Sequence, residues 1–324
     1  MSQRRKWKKQ WEKEYKRNSN RRQMKYNRWG YYFLIPFVVV FVFCTLIPQC
    51  MTFFNSFFEN YKEGLTQVGP RFVGFKNYIE LLKPNSRGDI LFFKYFGNTV
   101  ILWIIGAVPQ FLFAIILALL FTNQRLNIKG VTFFKTVMYM PNLIMASAFS
   151  MLFYNLFSNV GPINQLLYAL LGPEGTVDFF SRTVSVRALI GVMNFIMWMG
   201  NTTLVLMAGI MSIEDDIFEA AAIDGAKPSK VFFNITLPLL KPVLLYSVIT
   251  AMLGGLQMYD VPQILTNGQG TPNFSSKTIV MSLNSYLGTS KNYGMSGAIS
   301  VLMFIFSALL SVFVYKTMIR RGDK

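Results

Sequence analysis

Asn194, Trp198 and Asn201 recur at i, i+4 and i+7, with Thr202 adjacent, so a single helical face would carry two amides and an indole. A second row, Tyr246, Thr250 and Gln257 at i, i+4 and i+11, runs into Tyr259 and Asp260 and contains Gly254 and Gly255, which allow close approach. Amides, hydroxyls and aromatic rings in such rows suit a ligand with hydroxyls to hydrogen-bond and C–H faces to stack, as a sugar has. The same residues also serve as interhelical packing glue, and both readings fit. Asp260 is the sharpest member. A carboxylate at the bilayer centre costs ~2.5 to 3.5 kcal/mol on insertion scales, so Asp260 either marks a path or stands at the outer membrane boundary.

Bond-making chemistry is poorly supplied. There is no histidine among the 324 residues, which removes the usual general base and the commonest zinc ligand. Cys44 and Cys50 lie six residues apart in one apolar run and read as small core or lipid-facing side chains, not as a disulfide or a metal site. The one dense acidic group, Glu214 to Asp216, is explained by the positive end of a helix that starts there. No catalytic residue, metal or bound cofactor is expected. The chain also lacks a Gly-x-x-x-x-Gly-Lys-Ser/Thr run, so it cannot cradle ATP phosphates itself.

The elements that must position these rows are membrane spans. The sequence is 52% hydrophobic, with its apolar residues in long blocks. A bilayer core of ~30 Å needs about 20 such residues per helix. Six stretches qualify: residues 29–54, 98–121, 133–157, 186–211, 242–265 and 296–318. The first is too long for a signal-peptide core and lacks a small-residue cleavage site, so it reads as a retained anchor. The expected class is therefore an all-α membrane protein of six transmembrane helices.

The net charge of +17 is concentrated in an arm, residues 1–28, with twelve Lys/Arg against Glu12 and Glu14. Membrane topology and anionic lipid account for the arm without nucleic acid. Within it Trp7, Trp11 and Tyr15 recur at i, i+4 and i+8, which fits a basic interfacial helix, and disorder fits equally. With the arm placed in the cytoplasm, the inside segments hold 22 Lys/Arg and the outside segments 10, so both termini are expected inside.

This topology makes residues 212–241 a cytoplasmic hairpin between spans four and five. Ser212 followed by Asp215 resembles a capping box, so a helix is expected from about Ile213 to Gly225, whose glycine permits a left-handed end. Pro228 suits the first turn of a second helix, with Val231, Phe232, Ile235 and Leu239 as its apolar stripe. Alanines at 220–222 framed by Glu219 and Asp224 make a small knob fit to enter a groove, although alanine is also simply the best helix former.

Glu219-Ala220-Ala221, then Gly225, then Ile235, Leu237 and Pro238 resemble at every fixed position the EAA motif of bacterial ABC importer permeases. Asp224, Ala226 and Leu239 agree with the fuller form found in sugar permeases. Arg71 to Leu82 (RFVGFKNYIELL), Tyr139 to Ile144 (YMPNLI) and Gln263 to Pro272 (QILTNGQGTP) are similar, in order, to shorter elements of the maltose, lactose and glycerol-phosphate type; Gln269 departs, standing where glycine is usual. The resemblance implies the type I ABC importer permease fold and a multi-pass subunit of the bacterial cytoplasmic (inner) membrane. It also implies a second homologous permease, two ATPase subunits that bind ATP-Mg, and an extracellular sugar-binding protein. The hairpin would be the coupling helix, with Glu219, Ala220, Ala221, Asp224 and Gly225 in the ATPase contact.

Three rivals remain. A gradient-driven secondary transporter would carry more buried ionisable residues and leaves the EAA hairpin unexplained. A membrane glycosyl transferase would need paired acids or a metal cluster. An ABC importer for another solute shares the EAA motif, and only the shorter elements favour sugars.

Overall fold

The computed structural model describes residues 7–15, 27–86, 88–123, 126, 128–288 and 290–320. Most of the basic arm, Arg125 and the last four residues, all used in the charge count, lie outside the described residues. The chain divides into a unit of residues 1–54 and a unit of residues 55–324.

In the first unit, residues 7–15 form helix α1. Helix α2 (Asn27–Phe41) continues through a π turn at Val42–Leu46 into α3 (Ile47–Asn55). Pro48, which has no N–H to donate, lies two residues past the end of that turn.

The second unit opens with two strands, an exception to the all-helical expectation. Strands β1 (Phe58–Glu63) and β2 (Thr66–Phe72) pair antiparallel, with a register shift between Glu59 and Tyr61. Gly64 at φ +62° makes the turn. The RFVGFKNYIELL element runs from β2 into α4 (Lys76–Leu81). Its Asn77 amide donates to the Ser56 and Phe58 carbonyls at 2.9 and 3.0 Å, and the Tyr78 hydroxyl meets Ser56 Oγ at 2.7 Å. The motif thus fastens the hairpin at its base.

Among the described residues, five helical stretches are long and apolar enough to cross a membrane: Trp29–Asn55, Leu91–Thr122, Thr183–Met211, Pro228–Leu265 and Tyr293–Met318. A sixth is a broken pair. Helices α5 (Leu91–Thr122), α6 (Val131–Leu143), α7 (Ala146–Phe157) and α8 (Pro162–Leu171) follow in order. Where the sequence suggests one straight span over residues 133–157, the stretch Ala146–Leu171 is bent 92° from α6. Pro141 leaves the Val137 carbonyl without its helical donor, and Ile144 and Met145 are extended (ψ 134° and 128°). The side chain of Asn142 instead donates to the Met197 carbonyl, 3.1 Å away on α9 (Thr183–Met211).

Helix α5 packs most extensively against α9. A Cβ on Gly106 would stand 3.1 Å from both the Gly191 carbonyl oxygen and the Asn194 Cβ, so two facing glycines set this approach. The remaining helices are α10 (Asp215–Ile223), α11 (Pro228–Val231), α12 (Leu237–Leu256), α13 (Asp260–Leu265), α14 (Ile279–Gly288) and α15 (Tyr293–Arg320). One apolar cluster joins α5, α7, α9 and α13 around Leu102, Ile190 and Met193. Another joins α5, α9 and α12 around Ala114, Leu206 and Leu240.

Candidate functional site: a polar cleft and a helical hairpin

Between those two clusters lies a cleft of about 470 Å³. Asn194, Trp198, Asn201, Tyr246, Thr250, Gln257, Tyr259 and Asp260, drawn from two separate sequence rows, all line it. Two features of the backbone bring them together. Helix α9 runs unbroken past the cleft, whereas the apolar run of span five, expected continuous over residues 242–265, stops at Leu256 and restarts at Asp260. The break turns Gln257, Tyr259 and Asp260 to the cleft, and Asp260 sits in the first turn of α13, where negative charge is favoured.

The hydrogen bonds sort the lining into two groups. Asn194 Nδ2 donates to the Ile190 carbonyl at 2.8 Å and approaches Met258 Sδ at 3.5 Å. Thr250 Oγ1 donates back to the Tyr246 carbonyl at 2.9 Å, and Thr202 Oγ1 to the Trp198 carbonyl at 3.1 Å. These groups are committed to the protein. The side chains of Asn201, Tyr246, Gln257, Tyr259 and Asp260 have no hydrogen-bond partner among the described residues, and all five residues line the cleft. Trp198 and Tyr246 are 47% and 63% exposed, leaving ring faces open.

Three lining residues with polar side-chain atoms escape the sequence reading. Gln110 of α5, 6% exposed, donates to Thr202 Oγ1 at 2.7 Å. Trp103 Nε1 and Ser247 Oγ are buried without a partner among the described residues, and both residues line the cleft. The cost of leaving a polar group in lipid, applied to spans four and five, points equally to Gln110 and Trp103 in span two. Ser247 gives no such signal, because a serine in a membrane helix commonly bonds its own backbone. Among the described residues there is no cluster of three or more His, Cys, Asp or Glu that would hold a metal.

The hairpin after α9 differs in detail from its sequence expectation. Helix α10 begins at Asp215, not near Ile213, with Glu214 at the N-cap and no side-chain cap. The Ser212 hydroxyl donates to the Gly209 carbonyl at 2.7 Å instead of forming a capping box. At the other end the Ala226 N–H reaches the Ala221 carbonyl (3.0 Å) and the Gly225 N–H the Ala222 carbonyl (3.1 Å), with Gly225 at φ +65°. This is a Schellman closure, and it requires the glycine. Pro228 then opens α11.

Glu219, Ala220, Asp224 and Gly225 are exposed, while Ala221 is 6% exposed and turned into the protein. Ile223, which sequence reading passes over, stands 87% exposed on the same hairpin. The second stripe slips. Val231, Phe232 and Ile235 are partly buried, but Leu239 is 49% exposed and Leu240 takes its place at 1%. A π turn at Phe232–Thr236, just before Pro238, inserts one extra residue and rotates everything after it. In the QILTNGQGTP loop, Gly268 and Gly270 have φ +76° and +66°, whereas Gln269 is not among the positive-φ positions. The place where glycine is usual therefore admits a side chain here.

Residues 110–322 match the family model for the binding-protein-dependent transport system inner membrane component. The multiple sugar-binding transport system permease protein MsmF of Streptococcus mutans is 30% identical, the match covering 89% of this chain and 94% of that protein. The lactose transport system permease protein LacF of Rhizobium radiobacter is 29% identical, over 74% of this chain and 79% of that one. Among solved structures, a chain of a bacterial alginate ABC transporter, in complex with an alginate pentasaccharide-bound periplasmic protein, superposes with a TM-score of 0.72. It is 18% identical, with 94% of this chain and 98% of that chain covered, a likeness of fold.

Proposed function

This chain belongs to the family of binding-protein-dependent transport system inner membrane components, and we propose that it carries a sugar or oligosaccharide across the membrane, driven by ATP hydrolysis on partner subunits. Membership makes it a multi-pass permease subunit with the type I importer fold, and not itself an enzyme. The relatives named for sugars favour a sugar as cargo, and so does the mixture of free amide, phenol and carboxylate groups with open rings in the cleft. In this reading a second, related permease completes the path, a capture protein delivers the sugar from outside, and two ATPase subunits hold ATP-Mg. Both termini face the cytoplasm.

The observation that carries the reading is the α10–α11 hairpin. A short helix is closed by a Schellman turn at a left-handed glycine, with Glu219, Ala220, Ile223 and Asp224 exposed around it. Ile223 places one apolar side chain beside the Glu219 and Asp224 carboxylates on this exposed face. We assign the ATPase contact to Glu219, Ala220, Asp224 and Gly225, with Ile223 added. Ala221 supports the contact from behind.

The test is reconstitution of the chain with its neighbouring permease, ATPase and capture protein, followed by sugar uptake with wild type, Glu219→Lys and Gly225→Pro. Variants that assemble but lose both uptake and stimulated ATP hydrolysis support the assignment. Uptake that survives both changes, or that proceeds without ATP, overturns it.

A further inference from the structure

Helix α1 carries Trp7, Trp11 and Tyr15 on one edge, 73%, 54% and 63% exposed, with the Trp11 and Tyr15 rings stacked at 5.3 Å. At 100° per residue these three fall within about 80° of one another, with Lys8 and Glu14 flanking that edge, Lys9 and Lys13 on the far side and Glu12 between. An aromatic edge opposite a basic one is the pattern of a helix that lies in a membrane interface. Eleven residues separate Tyr15 from the start of α2, and even fully extended they reach at most ~40 Å. Five of the eleven are Lys or Arg, and Arg4, Arg5 and Lys6 precede the helix. The span they lead to begins with Trp29, Tyr31 and Tyr32, an aromatic belt at headgroup level. Tether, charge and rings all select the same occupant.

We propose that α1 is an anionic-lipid binding element: it lies flat in the headgroup layer of the membrane that the first span crosses, with its indoles among the upper acyl carbons and its lysines on lipid phosphates. Duplex nucleic acid would satisfy the charges but would leave the aromatic edge in water, and the short tether holds the helix close to the first span. The proposal does not depend on the cargo, on the ATPase contact or on which side of the membrane the arm occupies.

The test uses the full chain in lipid nanodiscs, with hydrogen exchange read at residues 7–15. Discs of phosphatidylcholine alone are compared with discs containing about one-third phosphatidylglycerol, an anionic content in the range that attracts basic segments. Slow exchange is expected in the anionic discs only, lost in high salt. Each basic residue near an anionic surface strengthens binding roughly five-fold, so neutralising Lys8, Lys9 and Lys13 together to Gln is expected to lower protection about a hundred-fold. A Trp7→Ala, Trp11→Ala pair should abolish it with the charges intact. Neither variant touches the spans. Equal exchange in the two kinds of disc overturns the proposal, as does protection that survives the loss of both indoles.

Discussion

The side-chain amide of Gln110 donates a 2.7 Å hydrogen bond to the hydroxyl of Thr202, tying α5 to α9 in the wall of the cleft. Interhelical hydrogen bonds in membranes contribute modestly, because the separated helices also find partners. A double-mutant cycle of Gln110→Leu and Thr202→Val is expected to give a coupling of about 0.6 to 1.7 kcal/mol by unfolding in detergent or bicelles. Zero coupling would mean that the pair only lines the wall.

Gly200 of α9 faces the backbone of α6. A Cβ there would overlap the Met138 carbonyl oxygen and stand 2.9 Å from the Tyr139 Cα, and neither can swing aside as a side-chain end can. Gly200→Ala should therefore force the two helices apart at a cost of about 1 to 3 kcal/mol, the usual range for overpacking. Gly254→Ala, where a Cβ meets nothing within 4 Å, is the matched control and should keep or raise the midpoint of thermal unfolding.

Trp103 Nε1 and Ser247 Oγ are buried, unpartnered among the described residues, and set in the cleft lining. Removing an unsatisfied polar atom without changing shape is neutral or stabilising by about 1 kcal/mol. Ser247→Ala should thus leave unfolding unchanged or shift it upward; Trp103→Phe also removes ring volume packed on Gly255, so for it uptake is the diagnostic reading. Where these atoms meet cargo hydroxyls, KM for uptake should rise about five-fold per lost bond of ~1 kcal/mol. Loss of stability with unchanged uptake would assign both groups to packing instead.

Lys277 lies in the loop between α13 and α14, its Nζ 5.4 Å from the Tyr95 ring centre and 5.5 Å from that of Phe274. Burial disfavours the ammonium form and holds its pKa below the ordinary 10.5. Between the lowered value and 10.5 the unfolded chain binds more protons, so stability rises with pH across that window; below it the penalty is present in full. Lys277→Met should lack this rise and be more stable than wild type at neutral pH. Parallel unfolding curves for the two proteins from pH 7 upward would count against it.

The apolar blocks made the spans legible, because length and hydropathy are local properties. The break after Leu143 was not, since Pro141 sits close to a helix end and the bond that holds the break comes from Asn142 to Met197, 55 positions away. The two rows of cleft residues were readable from helical spacing, but their meeting in one cavity depends on the interruption after Leu256. That Leu240 and not Leu239 is buried follows from one π turn that shifts every later position, and sequence period alone does not register an inserted residue. Ala221 looked equivalent to its neighbours; only packing distinguishes the alanine that faces inward.

The interruption between α12 and α13 also constrains how the chain is made. Non-helical backbone survives inside an apolar run only where protein or a water-lined cavity satisfies it. The carbonyl of Met258, a buried residue, accepts from the Thr278 hydroxyl at 3.0 Å, twenty residues downstream. During synthesis the ribosome must add those residues before that bond can form. The interrupted backbone of span five is thus satisfied at Met258 only when the loop that carries Thr278 is in place.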